Sequence, residues 1–172
     1  KNAGASWTNI TPLSMQGGEN NVVVSGDGST IAVLDRGGIY ISDAEVIDWE
    51  TPIIDPDNGL DNVYLELWSI SISDNGDKLL VNNWGSGAQF EDFYLSDDGG
   101  VNWSGLDVPD VEDLFYATST VSADGSSIAV AGMTFEGGEN DHVFTYSTDG
   151  AEWTDVTPEN EAASIWSSID MS

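Results

Sequence analysis

Along the chain, short apolar runs alternate with polar turns that contain glycine. The segments VVVSGDGSTIAVL, ISISDNGDKLLVN and TVSADGSSIAVAG each set out an apolar run, a serine, a turn with glycine and a second apolar run. Short runs rich in β-branched residues and bounded by Gly, Asn, Asp and Ser read as strands. The pairs Asp27-Gly28, Asn75-Gly76 and Asp124-Gly125 supply the positive-φ positions that tight hairpins need. Four strands then fit the first unit: Asn21 to Ser25, Thr30 to Leu34, Gly38 to Ser42, and one beginning near Trp49. The next units follow the same plan from Trp68 and from Tyr116, and helix-length amphipathic periodicity is hard to find.

A second pattern follows each of these hairpins. YLSDDGGVNWS places Ser96, Asp98, Gly100 and Trp103 between apolar strands, and FTYSTDGAEWTDV repeats the order with Ser147, Asp149, Gly150 and Trp153, one residue shorter. IYISDAEVIDWE keeps only Ser42, Asp43 and Trp49, and the opening KNAGASWTNITP reads as the tail of the same unit, with Asn2, Gly4 and Trp7. Ser25, Ser73 and Ser122 recur at about fifty residues, and the tryptophans keep a similar period, so the chain is a repeat array with one supersecondary unit per repeat.

The order Ser-x-Asp-x-Gly-x-x-Trp resembles the Asp box of bacterial neuraminidase (BNR) repeats, which occur in the blades of β-propellers. The resemblance implies an all-β, propeller-type array of four-stranded antiparallel blades, with three full blades and parts of a split one. On that reading residues 1–12 end a preceding blade, 13–55, 56–109 and 110–158 are blades, and 159–172 begin the next. Within the hairpin the aspartate accepts hydrogen bonds from turn amides, the glycine takes a left-handed backbone, and the tryptophan packs under the turn between blades. The motif residues are therefore expected to build the fold rather than to catalyse. Propellers usually close with about four to eight blades, so three blades with split ends predict either a longer polypeptide or chains that complete one another. The expected partners are accordingly further blades or other protein chains.

Charge narrows the partners further. Lys and Arg number 3 against 31 Asp and Glu, a net charge of −28 with a sequence pI near 4.1. Phosphate binding needs clustered cations, so nucleic acid and anionic membrane surfaces are excluded as partners. The chain contains no cysteine, which removes disulfides, thiol chemistry and cysteine-bound zinc. No run approaches the ~18 apolar residues of a membrane span. The acidity, with Asn-x-Ser/Thr sites at Asn9 and Asn102, fits an extracellular or cell-surface setting, and it fits equally the simple solvation of loops.

Catalytic chemistry finds little purchase. Sialidases of the resembling family grip their substrate with several arginines, and this chain has only Arg36. His142, the single histidine, sits at a strand start and reads as an ordinary surface residue. Paired carboxylates for glycoside hydrolysis are abundant but unassignable. In IDPDNGLDN, Asp55, Asp57 and Asp61 flank a glycine turn and are candidate calcium ligands, with a spacing short by one residue of the usual acidic loop. Glu136 to Asp141 and Asp107 to Asp113 are further acidic runs. Trp84, in a loop, is the candidate for stacking on a glycan, whereas Trp68 and Trp166 begin first strands. The expectation is a non-catalytic, extracellular binding or assembly scaffold with no required cofactor, calcium being the one cofactor considered; the alternative is part of a carbohydrate-active enzyme or a glycan-binding propeller.

Overall fold

The computed structural model describes residues 8–11, 21–35, 38–45, 47–49, 67–83, 93–109, 115–136, 139–148, 150–158 and 168–171. These residues are all β, and no helix among them is long and apolar enough to cross a membrane. The first sheet orders β1 (Asn21–Val24), β2 (Thr30–Asp35) and β3 (Gly38–Asp43) side by side. The second contains β4 (Leu67–Ile72), β5 (Leu79–Asn83), β6 (Phe93–Ser96) and β7 (Ser104–Gly105), and the third β8 (Phe115–Val121), β9 (Ile128–Glu136), β10 (Glu139–Ser147) and β11 (Trp153–Asp155). Every pairing is antiparallel between consecutive strands, which makes each sheet a simple meander. The fourth strand expected near Trp49 is not seen: residues 47–49 carry no strand, and the residues that follow lie outside the described set.

The register makes the three sheets equivalent. Val24 pairs with Ile31, Ile72 with Leu79, and Val121 with Ile128, each pair closing the first hairpin of its sheet. Because strand side chains alternate, each sheet has two faces, and both faces of the middle sheet are apolar. One core lies between the first and second sheets, built from Ala32, Leu34 and Ile39 against Ile70, Leu79 and Val81. Another lies between the second and third, where Leu80, Phe93, Leu95, Leu106 and Val108 meet Ala117, Ile128 and Val130. Leu79, Leu80, Val81 and Val130 are wholly buried. Each such side chain stabilises the stack by about 1.5–3 kcal/mol, which is what holds sheet on sheet where no disulfide does.

The first strands lie together at one edge, β1 packing on β4 and β4 on β8. A polar tie crosses this edge. The buried Asn82 donates from Nδ2 to the Ala117 carbonyl at 2.9 Å and accepts the Ser69 hydroxyl, so its amide is satisfied between two sheets.

Candidate functional site

In a meander the first and third connections fall at the same end of the sheet, so both hairpin types gather on one rim. The first type is built identically three times. Ser25, Ser73 and Ser122 are buried, and each hydroxyl accepts the amide five residues on, at 2.9, 3.0 and 2.9 Å. Each also donates to the side chain two residues on, to Asp27, Asn75 or Asp124, at 2.7, 2.8 and 2.8 Å. The glycine that follows takes φ of 75°, 78° or 72°, a left-handed backbone open to glycine at little steric cost.

Adjacent hairpins are joined by their backbones. Asp27 N donates to the Asp74 carbonyl at 2.9 Å, and Asp74 N donates to the Ala123 carbonyl at 2.7 Å. Close approach is required for this: a Cβ on Gly26 would fall 1.9 Å from Asp74 Oδ1, and one on Gly76 would fall 2.5 Å from Thr30 Oγ1. The three sheets are thus stitched, hairpin to hairpin, in one direction.

The second hairpin type is fullest at Ser96 to Trp103. Ser96 Oγ donates to Asp98 at 2.9 Å and accepts Gly100 N at 2.9 Å, while Asp98 accepts the Asn102 amide at 2.8 Å and its side chain at 2.6 Å. Gly100, at φ 90°, lies against Ile41 of the first sheet. Trp103 donates from Nε1 to the Gly100 carbonyl at 3.0 Å and packs against the core between first and second sheets. The hairpin is tied to the one beside it by Gly99 N to the Asp77 carbonyl at 2.7 Å and by a Lys78–Asp97 ion pair at 3.0 Å.

The other copies are less complete. In the third sheet Ser147 Oγ accepts Gly150 N at 2.9 Å, and Trp153 packs against the core between second and third sheets. Among the described residues its buried Nε1 has no hydrogen-bond partner, unlike that of Trp103; the hairpin is one residue shorter. In the first sheet Ser42 Oγ accepts Asp48 N at 2.9 Å, and Trp49 donates instead to the Ile10 carbonyl. Asn2, Gly4, Trp7, Asp55, Asp57, Asp61, Trp84 and Asp149 lie outside the described residues, as do Arg36 and Trp166. His142 falls within β10 opposite Met133, three residues after the strand begins at Glu139.

The rim is acidic, and three of its aspartates, together with Asp155 at the far end of β11, are held in the ionised form. The Ser25 hydroxyl, then the Ser29 amide and hydroxyl, keep Asp27 below the usual carboxylate range. The Asn102 amide and side chain do the same for Asp98, and the Thr157 hydroxyl and amide for Asp155. The Ser126 amide and hydroxyl, with the Ser122 hydroxyl, lower Asp124 to about 2. Hydrogen bonds to the charged form are the cause in each case, and a carboxyl so held does not donate a proton near neutrality. Among the described residues no group of three or more His, Asp or Glu is placed to hold a metal ion.

Sequence reasoning located both hairpin types but missed the stitching through Asp27, Asp74 and Ala123 and the Asn82 tie. A backbone bond leaves no mark on residue identity, although the glycine at position 26 was a trace of the close approach.

No protein-family model matches the chain, and no curated protein matches it in sequence. Among solved structures it is similar to the GH74 xyloglucanase from Xanthomonas campestris, with a TM-score of 0.53 over 86% of this chain at 14% identity. It is also similar to the GH74 enzyme from Niastella koreensis, with a TM-score of 0.55 over 80% of this chain at 17% identity. Both neighbours contain β-propellers, and the likeness, with the stacked meanders, defines the class of fold: this chain is an array of β-propeller blades. It spans 23% and 21% of those two chains.

Proposed function

We propose that the chain is an extracellular, non-catalytic module of Asp-box repeats that works through its surface as a protein-interaction and assembly scaffold. The observation that carries the reading is the use made of the acidic rim. The hydrogen bonds that close the hairpins hold Asp27, Asp98 and Asp124 as stable anions, as Thr157 does Asp155 beyond β11, and a glycosidase acid instead requires a raised pKa. The net charge of −28 directs partners away from nucleic acid and anionic membranes. Calcium bound at Asp55, Asp57 and Asp61 would assist assembly without being needed for the fold.

The likeness to GH74 enzymes supports a second reading, a carbohydrate-active or glycan-binding propeller. Reducing-end release from xyloglucan and a panel of β-glucans separates the two. The scaffold reading expects no release; hydrolysis abolished by replacing a single carboxylate would establish the enzyme.

A further inference from the structure

The scaffold reading leaves the partner unspecified, and one strand of the third sheet indicates its kind. We infer that the outer edge of β10, from Glu139 to Val143, takes up a basic, extended segment of another protein as an added strand. The inference rests on the scaffold reading above.

The argument comes from where the ladders stop. In the second sheet β6 begins at Phe93, and the Leu106 amide donates to the Phe93 carbonyl at 2.9 Å, so the third and fourth strands end level. In the third sheet Phe144 holds the place of Phe93, and the Val156 amide donates to its carbonyl at 2.8 Å in the same way. Here, however, β10 starts earlier, at Glu139, while β11 pairs only with Thr145, Tyr146 and Ser147. The chain after β11 is led away. Asp155 Oδ1 accepts the Thr157 amide at 2.8 Å and turns the backbone, and Thr157 Oγ1 accepts the Phe144 amide at 2.8 Å where a ladder would supply a carbonyl. Pro158, next along, has no amide to donate. The fourth strand is thus ended at Phe144 while the third runs on.

On the other side β8 reaches only Met133, whereas β9 and β10 stay paired out to Glu136 and Glu139. Beyond Met133, among the described residues, the two strands form a ribbon with no third strand beside it. A two-stranded ribbon is marginally stable in water, and a third strand is what it lacks. The groups that would receive one follow from the alternation of an antiparallel ladder. Phe144 turns its amide and carbonyl toward the side of β11, so His142 and Asn140 turn theirs the same way, and Asp141 and Val143 turn theirs toward β9. A strand laid there would continue the line of β11 and exchange backbone hydrogen bonds with Asn140 and His142, which is strand addition. Its charge is set by the ribbon. Glu136, Glu139 and Asp141 belong to β9 and β10 there, with no lysine or arginine among Thr134 to His142. In a chain of net charge −28 such an edge repels a second copy of itself and attracts a segment carrying lysine or arginine.

A Lys-Val-Lys-Val-Lys-Val peptide, capped at both ends, tests the inference by amide NMR of the whole chain at about 0.05 M and about 1 M sodium chloride. The peptide is expected to shift the Asn140 and His142 amides and slow their hydrogen exchange, with Asp141 and Val143 changing less. Binding should weaken about tenfold in the higher salt, and binding indifferent to salt would overturn the basic partner. The same peptide with every backbone amide N-methylated keeps the charge and loses the donors, and about tenfold weaker binding is expected of it. On the protein, His142→Pro removes an amide that faces the open side, which an edge strand tolerates, and should abolish the shift at Asn140. His142→Ala should bind as the parent does. Should His142→Pro disturb β10 by circular dichroism, the N-methylated peptide still decides the question. Equal binding of the methylated peptide, or shifts centred on Asp27, Asp98 and Asp124 instead of β10, would mean attraction to acidity alone and overturns the inference. So does an absence of binding in both salts. A chain that neither takes up the peptide nor hydrolyses a glycan loses this inference alone, whereas hydrolysis of xyloglucan overturns the scaffold reading as well.

Discussion

Gly28 and Gly76 hold the same position in equivalent hairpins, at φ 75° and 78°, and differ only in what lies beside them. Replacing each by alanine therefore separates backbone strain from packing. Holding an alanine in a left-handed backbone costs about 1–2 kcal/mol at either site. At Gly28 nothing more is added. At Gly76 the new Cβ would stand 2.5 Å from Thr30 Oγ1 and 3.0 Å from Thr30 Cβ. The hydroxyl could rotate away, but the Cβ moves only with β2 itself, and overpacking of this kind costs about 1–3 kcal/mol. Gly28→Ala should thus lose about 1–2 kcal/mol and Gly76→Ala about 2–5 kcal/mol. Urea unfolding followed by tryptophan fluorescence, at one fixed low protein concentration, reads the difference. With a slope of about 1–3 kcal/mol per molar urea, the midpoints should part by roughly 1 M. Coincident midpoints at equal slopes would show that the first and second hairpins do not touch, and the stitched rim would be wrong.

Other perturbations act on the same rim. Ser122→Ala removes the acceptor of Ser127 N and should cost about 1–3 kcal/mol; by NMR titration Asp124 should move up from about 2 yet stay below its ordinary value, because the Ser126 amide still donates to it. Trp103→Phe should cost about 1 kcal/mol more than Trp153→Phe, since only Trp103 gives up a hydrogen bond from its ring; equal losses in urea midpoint would contradict this. The lowered pKa values of Asp27, Asp98, Asp124 and Asp155 mean that the unfolded chain takes up protons first as pH falls. With salt screening the net charge, stability should hold above the ordinary aspartate value of 3.8 and decline from there toward about 2, the value for Asp124; a urea midpoint that rises over that interval would refute the assignment.

The strand plan was legible because its causes are local. Alternation in TIAVLD placed β2 from Thr30 to Leu34, one residue short of its end at Asp35, and the Asp-Gly and Asn-Gly pairs placed the hairpins before β2, β5 and β9, since steric limits on positive φ act within a few residues. Ser96, Asp98, Gly100 and Trp103 were legible for the same reason: their hydrogen bonds close within one short loop. The direction in which each hairpin meets its neighbour was not. Asp27 and Asp124 read alike as turn aspartates, and nothing local says that the Asp27 amide meets the Asp74 carbonyl about fifty residues away. Asn82 was passed over because an asparagine in an apolar strand looks like an interruption until the Ala117 carbonyl comes within reach.

The seam between neighbouring repeats has a bearing on how such a chain is lengthened. Each junction at the rim is made by peptide groups, which every residue but proline carries in full: Asp27 donates to the Asp74 carbonyl at one seam and Asp74 to the Ala123 carbonyl at the next, with Gly26 leaving room for the closer approach. A repeat copied, moved or exchanged for its neighbour would still find its donor and acceptor waiting. Grammar of this sort lets a gene grow by duplication, with substitutions accumulating afterwards on the outer surface while the joint between units stays the same.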